Sequence, residues 1–232
     1  MASKLWTFTT NQTFHFTGSD YEGGSPTGST TASIECWGAG GHGNKNGTGG
    51  SGGAYASKMV ILSSGSYTIV VGQATATDGG QTYVSSSNGA LVVAAGGKMD
   101  GTVSHQLAAS SGSTIYVGGV GGANFTGYSA YNGGGGGGCA GQNGNGQDGQ
   151  SGFYSTADAP ASGGRYNNTG VERFGGNGAF YYAGPGVNQV YAASTGSMPG
   201  CGGGGGYDYP QGGDSSAAGG AGYVTIWIND AF

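Results

Sequence analysis

Few residues in this 232-residue chain are equipped for bond-making chemistry. The three histidines, His15, His42 and His105, show no metal-ligand spacing. His15 alternates with Phe14 and Phe16 and is expected to face solvent from a strand, while His42 and His105 fall in Gly- or Ser-rich loops. The eleven acids are scattered, and no pair suggests the two carboxylates of a glycosidase. The run Gly47-Thr-Gly-Gly-Ser-Gly-Gly53 lacks the Lys-Ser/Thr ending and the following helix of a phosphate loop. No Gly-x-Ser-x-Gly elbow stands between a strand and a helix. The sequence therefore predicts no catalytic residue, no metal site and no cofactor, and an enzymatic reading is set aside. Cys36, Cys139 and Cys201 are too few and too scattered for a disulfide framework or a zinc site. Cys139 and Cys201 each abut a glycine run, which allows them to be neighbours. The plainer reading is three free, buried thiols.

The residues that remain are suited to binding. Between glycine runs stand Phe153, Tyr154, Tyr166, Phe174, Phe180, Tyr181, Tyr182, Tyr191, Tyr207 and Tyr209. These are large rings in a region without an apolar core to receive them. Tyr on a rigid Gly/Ser framework gives wide contact area at low entropic cost, as in antibody loops, and aromatic faces stack on sugars. These ten are the candidate receptor-binding residues. The competing reading is that some of the rings cap or flank glycine helices.

Composition narrows the ligand. Lys and Arg together number six and the net charge is −5, which excludes an electrostatic nucleic-acid binder, since phosphate contacts need cations. The same scarcity argues against a polybasic membrane patch. The first residues lack the apolar stretch of a secretory signal, and no window approaches the length of a spanning helix, so neither export by a signal peptide nor membrane insertion is expected.

The elements that must position the rings are unusual. Glycine makes up 58 of 232 residues, and 36 of the 105 positions in 118–222. Five prolines and no strict Gly-x-y register exclude collagen. Residues 118–222 contain no Leu or Ile. The flanking segments do carry strand patterns. Ala32, Ile34 and Cys36 share one face, Tyr67, Ile69 and Val71 alternate, and so do Val224, Ile226 and Ile228. About eight short strands and essentially no α-helix are predicted, with the last strand returning to the first sheet. This gives an all-β chain: a β-sandwich from 1–117 plus 223–232, with 118–222 inserted as a glycine-rich bundle.

Ordering so many glycines must be offset by something other than side-chain burial. Extended helices of the polyproline-II type have three residues per turn and no internal hydrogen bonds, so their backbone groups point outward. Without Cβ atoms, several can pack side by side and bond to one another. Period-3 glycines at 146, 149 and 152 fit this form. The runs 133–138 and 202–206 are expected at the crowded centre, Gly135 and Gly204 among them, with Gly196 in a loop. The competing reading is prion-like disorder; the strand runs and the near absence of Arg count against it.

Ser33-Ile-Glu-Cys-Trp-Gly-Ala-Gly-Gly-His-Gly43 resembles the strand-then-WGAGG opening of a glycine-rich domain family of phage tail proteins. Gly49–Tyr55, Ser66–Gln73, Leu91–Gly97 and the closing Gly222–Ile228 continue the pattern. The order is similar to that in the extracellular glycine-rich domain of anaplastic lymphoma kinase. The resemblance implies a sandwich of jelly-roll, tumour-necrosis-factor-like type carrying polyglycine-II helices. The alternation of glycine runs with aromatic segments also resembles the fibre-tip adhesins of T-even-like phages. That implies a virion protein, released by lysis, which binds a host cell-surface glycan or outer-membrane protein through aromatic loops. Its further partners would be other tail-fibre or virion proteins and copies of itself. The alternative is a self-assembling filament or virion-decoration subunit.

Overall fold

The computed structural model describes residues 4–20, 28–126, 130–153, 160–168, 171–184, 187–206 and 216–228. Eight strands precede residue 117: β1 (Lys4–Phe8), β2 (Gln12–Phe16), β3 (Ser29–Trp37), β4 (Tyr55–Ser63), β5 (Gly65–Val70), β6 (Thr82–Ser86), β7 (Gly89–Ala94) and β8 (Thr114–Tyr116). A single helical turn, α1 (Gln106–Ala109), lies between β7 and β8. Six short strands follow: β9 (Phe125–Thr126), β10 (Ala130–Asn132), β11 (Arg165–Asn168), β12 (Val171–Phe174), β13 (Phe180–Gly184) and β14 (Val187–Tyr191). The chain closes with β15 (Tyr223–Ile228).

Two antiparallel sheets form a sandwich, in the orders β1-β15-β3-β4-β8 and β2-β5-β6-β7. The last strand does return to the first sheet, between β1 and β3, with Ile226 opposite Ile34. The alternation read from the sequence is the packing pattern. Ala32, Ile34, Cys36, Val224, Ile226 and Ile228 face Phe14, Phe16, Tyr67, Ile69, Val84 and Val92 in one buried cluster. Trp6 and Phe8 meet Phe14 edge-on, at 5.2 and 5.5 Å between ring centroids.

Beyond the sandwich the backbone forms a lattice with a three-residue period. Segment 49–54 is the clearest case. Gly49 and Gly52 donate to Gly122 and Gly119; Gly50 and Gly53 donate to Gly203 and Gly200; Ser51 and Ala54 donate to Lys98 and Ala95. Each third residue addresses the same neighbour, so three neighbours surround one segment. This is what a helix of three residues per turn without internal bonds must do. Segment 38–43 behaves likewise, addressing 51–54, 77–80 and 217–220. In segment 133–140, Gly134, Gly137 and Ala140 donate to Gly47, Gly50 and Gly53, a parallel pairing, while Gly135 and Gly138 donate to Gln150 and Gln147, an antiparallel one. Residues 133–140 and 201–206 are all buried, in agreement with their expected central place.

The lattice draws on both spans of the sequence. Segments 38–43, 49–54, 77–80 and 95–98, which connect sandwich strands, are hydrogen-bonded to one another and to segments of 118–222. Gly196, expected in a loop, is a lattice member instead: its N–H donates to Ala218, and a Cβ there would lie 2.1 Å from the Cys201 carbonyl oxygen. A lone glycine between polar residues reads as a loop, but two neighbouring backbones fix its environment.

Side chains complete the lattice where no glycine segment reaches. Buried Gln106 donates from Nε2 to the Gly52 carbonyl at 2.7 Å and accepts the Gly118 N–H at Oε1 at 2.8 Å. Along 145–152, Asn145, Asp148 and Ser151 accept the N–H groups of Val117, Val120 and Ala123. The glycines that follow them, Gly146, Gly149 and Gly152, donate back to the carbonyls of the same three residues. The repeated polar-Gly unit is therefore a device for joining two parallel helices.

Candidate functional site

Hydrogen-bond register assigns each bundle segment a direction. Residue 54 enters β4, so its partners mark the sandwich end and the partners of Gly49 mark the far end. Segment 117–123 runs outward and enters β9; β10 returns into 133–140. Segment 175–179 runs outward and enters β13; β14 returns into 194–197. The four-stranded sheet β14-β13-β10-β9 therefore lies at the end of the bundle opposite the sandwich.

This end of the bundle gathers half of the sequence candidates, four of them on the sheet. Phe180, Tyr181 and Tyr182 lie on β13, opposite Asn132, Tyr131 and Ala130 of β10. Tyr191 ends the neighbouring strand opposite Phe180 and is exposed. Phe153 leaves the bundle at the same end, and its carbonyl accepts from Asn132 Nδ2 at 3.4 Å. Tyr154, Tyr207 and Tyr209 lie outside the described residues; the flanking positions 153, 206 and 216 are at this same end. Sequence reasoning placed these rings in loops, whereas the described ones lie on or beside paired strands. Strands of two to five residues give too short an alternation to be seen.

Tyr166 and Phe174 are placed elsewhere. Their strands form the hairpin β11–β12, with Arg165 opposite Phe174 and Tyr166 opposite Arg173. The Arg165 carbonyl accepts the Gln147 N–H, level with the sandwich end of segment 146–152, so this hairpin points back along the flank of the bundle. Both arginines of the chain, Arg165 and Arg173, sit on it. Beside it opens a cleft of about 370 Å³ whose lining includes Arg165, Phe174, Asn177, Ser194 and Ser197. The Arg165 guanidinium lies 5.5 Å from the centre of the Phe174 ring.

A second cleft, about 320 Å³, lies on the outer face of the five-stranded sheet between Leu5, Glu35, Trp37, Gln142 and Trp227. Glu35 accepts from the Tyr55 hydroxyl at 3.0 Å, the Thr225 hydroxyl at 3.0 Å, and Gln142 Nε2 at 2.8 Å to each oxygen. Its lone pairs are thereby engaged within the protein, so the carboxylate is a structural anchor and not a free base. Next to it Leu5, Trp227, Ser33 and Met59 form one cross-strand row, in which the three apolar side chains are exposed.

The titratable groups have structural roles as well. Cys139 and Cys201 are indeed neighbours: both are free and buried, and the Cys139 N–H lies 3.2 Å from Cys201 Sγ. The thiol–thiol hydrogen bond and burial push the Cys139 pKa well above the ordinary thiol range. Burial, aided by the nearby Glu35 charge, raises that of Cys36. For Asp78, burial opposes ionisation, but hydrogen bonds from Lys98 Nζ and the Met99 N–H, with the Lys98 charge, outweigh it and lower the pKa. His15 is exposed beside Ser66, and His105 lies 3.0 Å from the Gly96 carbonyl through Nε2. Among the described residues no three His, Cys, Asp or Glu side chains form a metal-binding group, and no helix is long and apolar enough to cross a membrane.

No family model matches the chain, and no curated protein matches it. The fold by itself defines an all-β sandwich extended by a bundle of glycine helices.

Proposed function

We propose that the protein is a receptor-binding adhesin of a virion, a phage tail-fibre tip, which meets a host cell-surface molecule with the aromatic strands at the far end of its bundle. The observation that carries this reading is the register: five of the ten aromatic candidates converge on one end, opposite the sandwich. A lattice bonded in three directions is a stiff support, so rings presented from it lose little entropy on binding. The sandwich is left free for attachment to the rest of a fibre.

The test compares cell binding with folding. Truncating Tyr181, Tyr191, Tyr207 and Tyr209 to Ala is expected to weaken adsorption to host cells at least tenfold and to leave the melting temperature near that of the parent. Aromatic hot spots commonly cost about 2 kcal/mol or more when truncated. Normal adsorption with early melting would show the rings to be structural caps. The second reading, a self-assembling filament or decoration subunit, draws on the exposed Leu5, Met59, Ile61 and Trp227 of the outer sheet face. Sedimentation of concentration-dependent polymers, lost in Trp227→Ser, would favour it.

A further inference from the structure

We propose that the cleft beside the β11–β12 hairpin is a binding site for an anionic sugar, a saccharide unit carrying a carboxylate or phosphate. The argument begins with how the polar groups of the cleft are already used. Ser197 Oγ accepts the Phe174 N–H at 3.3 Å, and Ser194 Oγ accepts the Asn177 N–H at 2.7 Å. Asn177 Oδ1 accepts the Gly163 N–H at 3.2 Å. Each of these oxygens is held by the bundle backbone. Each group keeps its donors for the cleft, the two hydroxyl protons and the Asn177 Nδ2 hydrogens, while one lone pair of each oxygen is taken by the backbone. Arg165 adds a guanidinium, which has only donors to offer. The bundle thus aims a set of donors and one positive charge at a single space. A ligand that satisfies them must be rich in acceptors and negatively charged.

The ring supplies the second half of the recognition. Phe174 is 37% exposed, Arg165 packs on it through a cation–π contact, and both residues line the cleft. No carboxylate among the described residues forms an ion pair with Arg165. An aromatic face beside hydroxyl and amide donors suits the apolar C–H face and polar edges of a pyranose. The cleft volume of about 370 Å³ falls in the range of small-ligand sites. Charge distribution points the same way. In a chain of net charge −5, the lining of this cleft carries Arg165 and no acidic side chain, while Arg173 pairs with Tyr166 outside it. Arg matches carboxylate and phosphate geometry in a way that Lys does not.

The inference deepens the adhesin reading and rests on it for the biological source of the sugar. Its test does not use cells, so the two can fail separately. Titration calorimetry of the whole chain would use an oligogalacturonate, glucose 1-phosphate and a neutral maltooligosaccharide. At least one charged probe is expected to bind ten times more tightly than the neutral one, and the two charged probes separate a carboxylate source from a phosphate source. Arg165→Gln should weaken charged-probe binding at least tenfold, Arg165→Lys should retain part of it, and Phe174→Ala should weaken all sugars. Lys58→Gln, which removes a distant sandwich cation, should change nothing. If Arg165→Gln disturbs the hairpin, amide shifts of Asn177, Ser194 and Ser197 in the unaltered chain titrated with the charged probe decide the matter. Equal affinity for neutral and charged probes, no binding at millimolar concentration, or amide shifts confined to other residues would overturn the proposal.

Discussion

Replacing Gly204 by Ala tests the dense backbone lattice at its centre. Gly204 is buried in segment 200–206, and an added Cβ would stand 1.8 Å from the carbonyl oxygen of Asn177 and 2.5 Å from its carbon. Real contacts of this kind do not fall below about 3 Å, so one segment must retreat by more than an ångström. That movement pulls on bonds that share the junction. Ser194 donates to Asn177, Gly204 donates to Ser194, and Ala217 donates to Gly204, at 3.0 to 3.1 Å. Overpacking costs about 1–3 kcal/mol, and each buried group left unsatisfied adds about 1–3 kcal/mol. Against this, Gly→Ala lowers the entropy of the unfolded chain and returns only about 0.4–1 kcal/mol. A net loss of about 3–5 kcal/mol follows if one or two bonds fail. For a chain of this size that is a fall in melting temperature of roughly 6–20 °C, at about 2–4 °C per kcal/mol.

The control is Gly80, where an added Cβ would meet its nearest atoms, Gln73 N and Gly72 Cα, at 3.1 Å. A shift of a few tenths of an ångström relieves that contact, and the entropic gain offsets the cost, so Gly80→Ala should melt within about 3 °C of the parent. Gly137→Ala, with the Gly119 carbonyl oxygen 1.9 Å from the new atom, should behave like Gly204→Ala. Differential scanning calorimetry of the three variants measures the difference directly. Equal melting temperatures for Gly204→Ala, Gly137→Ala and Gly80→Ala would refute the lattice.

Gln106→Ala leaves the Gly52 carbonyl and the Gly118 N–H without their buried partner, and should cost about 2–4 kcal/mol by chemical denaturation; Gln106→Glu should restore one bond and lose the other. Asp78 has its pKa lowered in the folded chain, so its contribution is present above the unfolded value of about 3.9 and is lost as pH falls through the folded one. The melting temperature of Asp78→Asn should therefore lie below that of the parent at pH 6, and the gap should begin to close as pH falls below about 4; a constant difference down to about pH 2 would contradict the assignment. The buried thiols Cys36 and Cys139, with raised pKa, should resist iodoacetamide at pH 8 in the native protein and react within minutes in guanidinium. Rapid native labelling of either would show that the core opens.

The sequence by itself determined the sandwich. Side chains carry that information: Ile34 and Ile226 alternate with polar neighbours, so the faces of β3 and β15 are fixed before any partner is known, and period-2 burial then leaves little choice of register. It also located the bundle centre, because runs of five and six glycines suit only sites with backbone on every side. Tertiary structure alone decided which segment lies beside which. A glycine has no side chain to prefer one neighbour over another, and each N–H of segment 49–54 could be satisfied by any extended backbone. The choice of 119–122, 200–203 and 95–98 comes from where sandwich strands launch and receive those segments. The exceptions are Asn145, Asp148 and Ser151, whose spacing of three encodes a pairing, legible once the N–H groups they accept from Val117, Val120 and Ala123 are seen. The aromatic residues divide on the same ground. Their types mark them only as candidates for binding, but the outward or returning direction of each glycine segment is what sends Phe180–Tyr182 to the far end and Phe174 to the flank, beside Arg165.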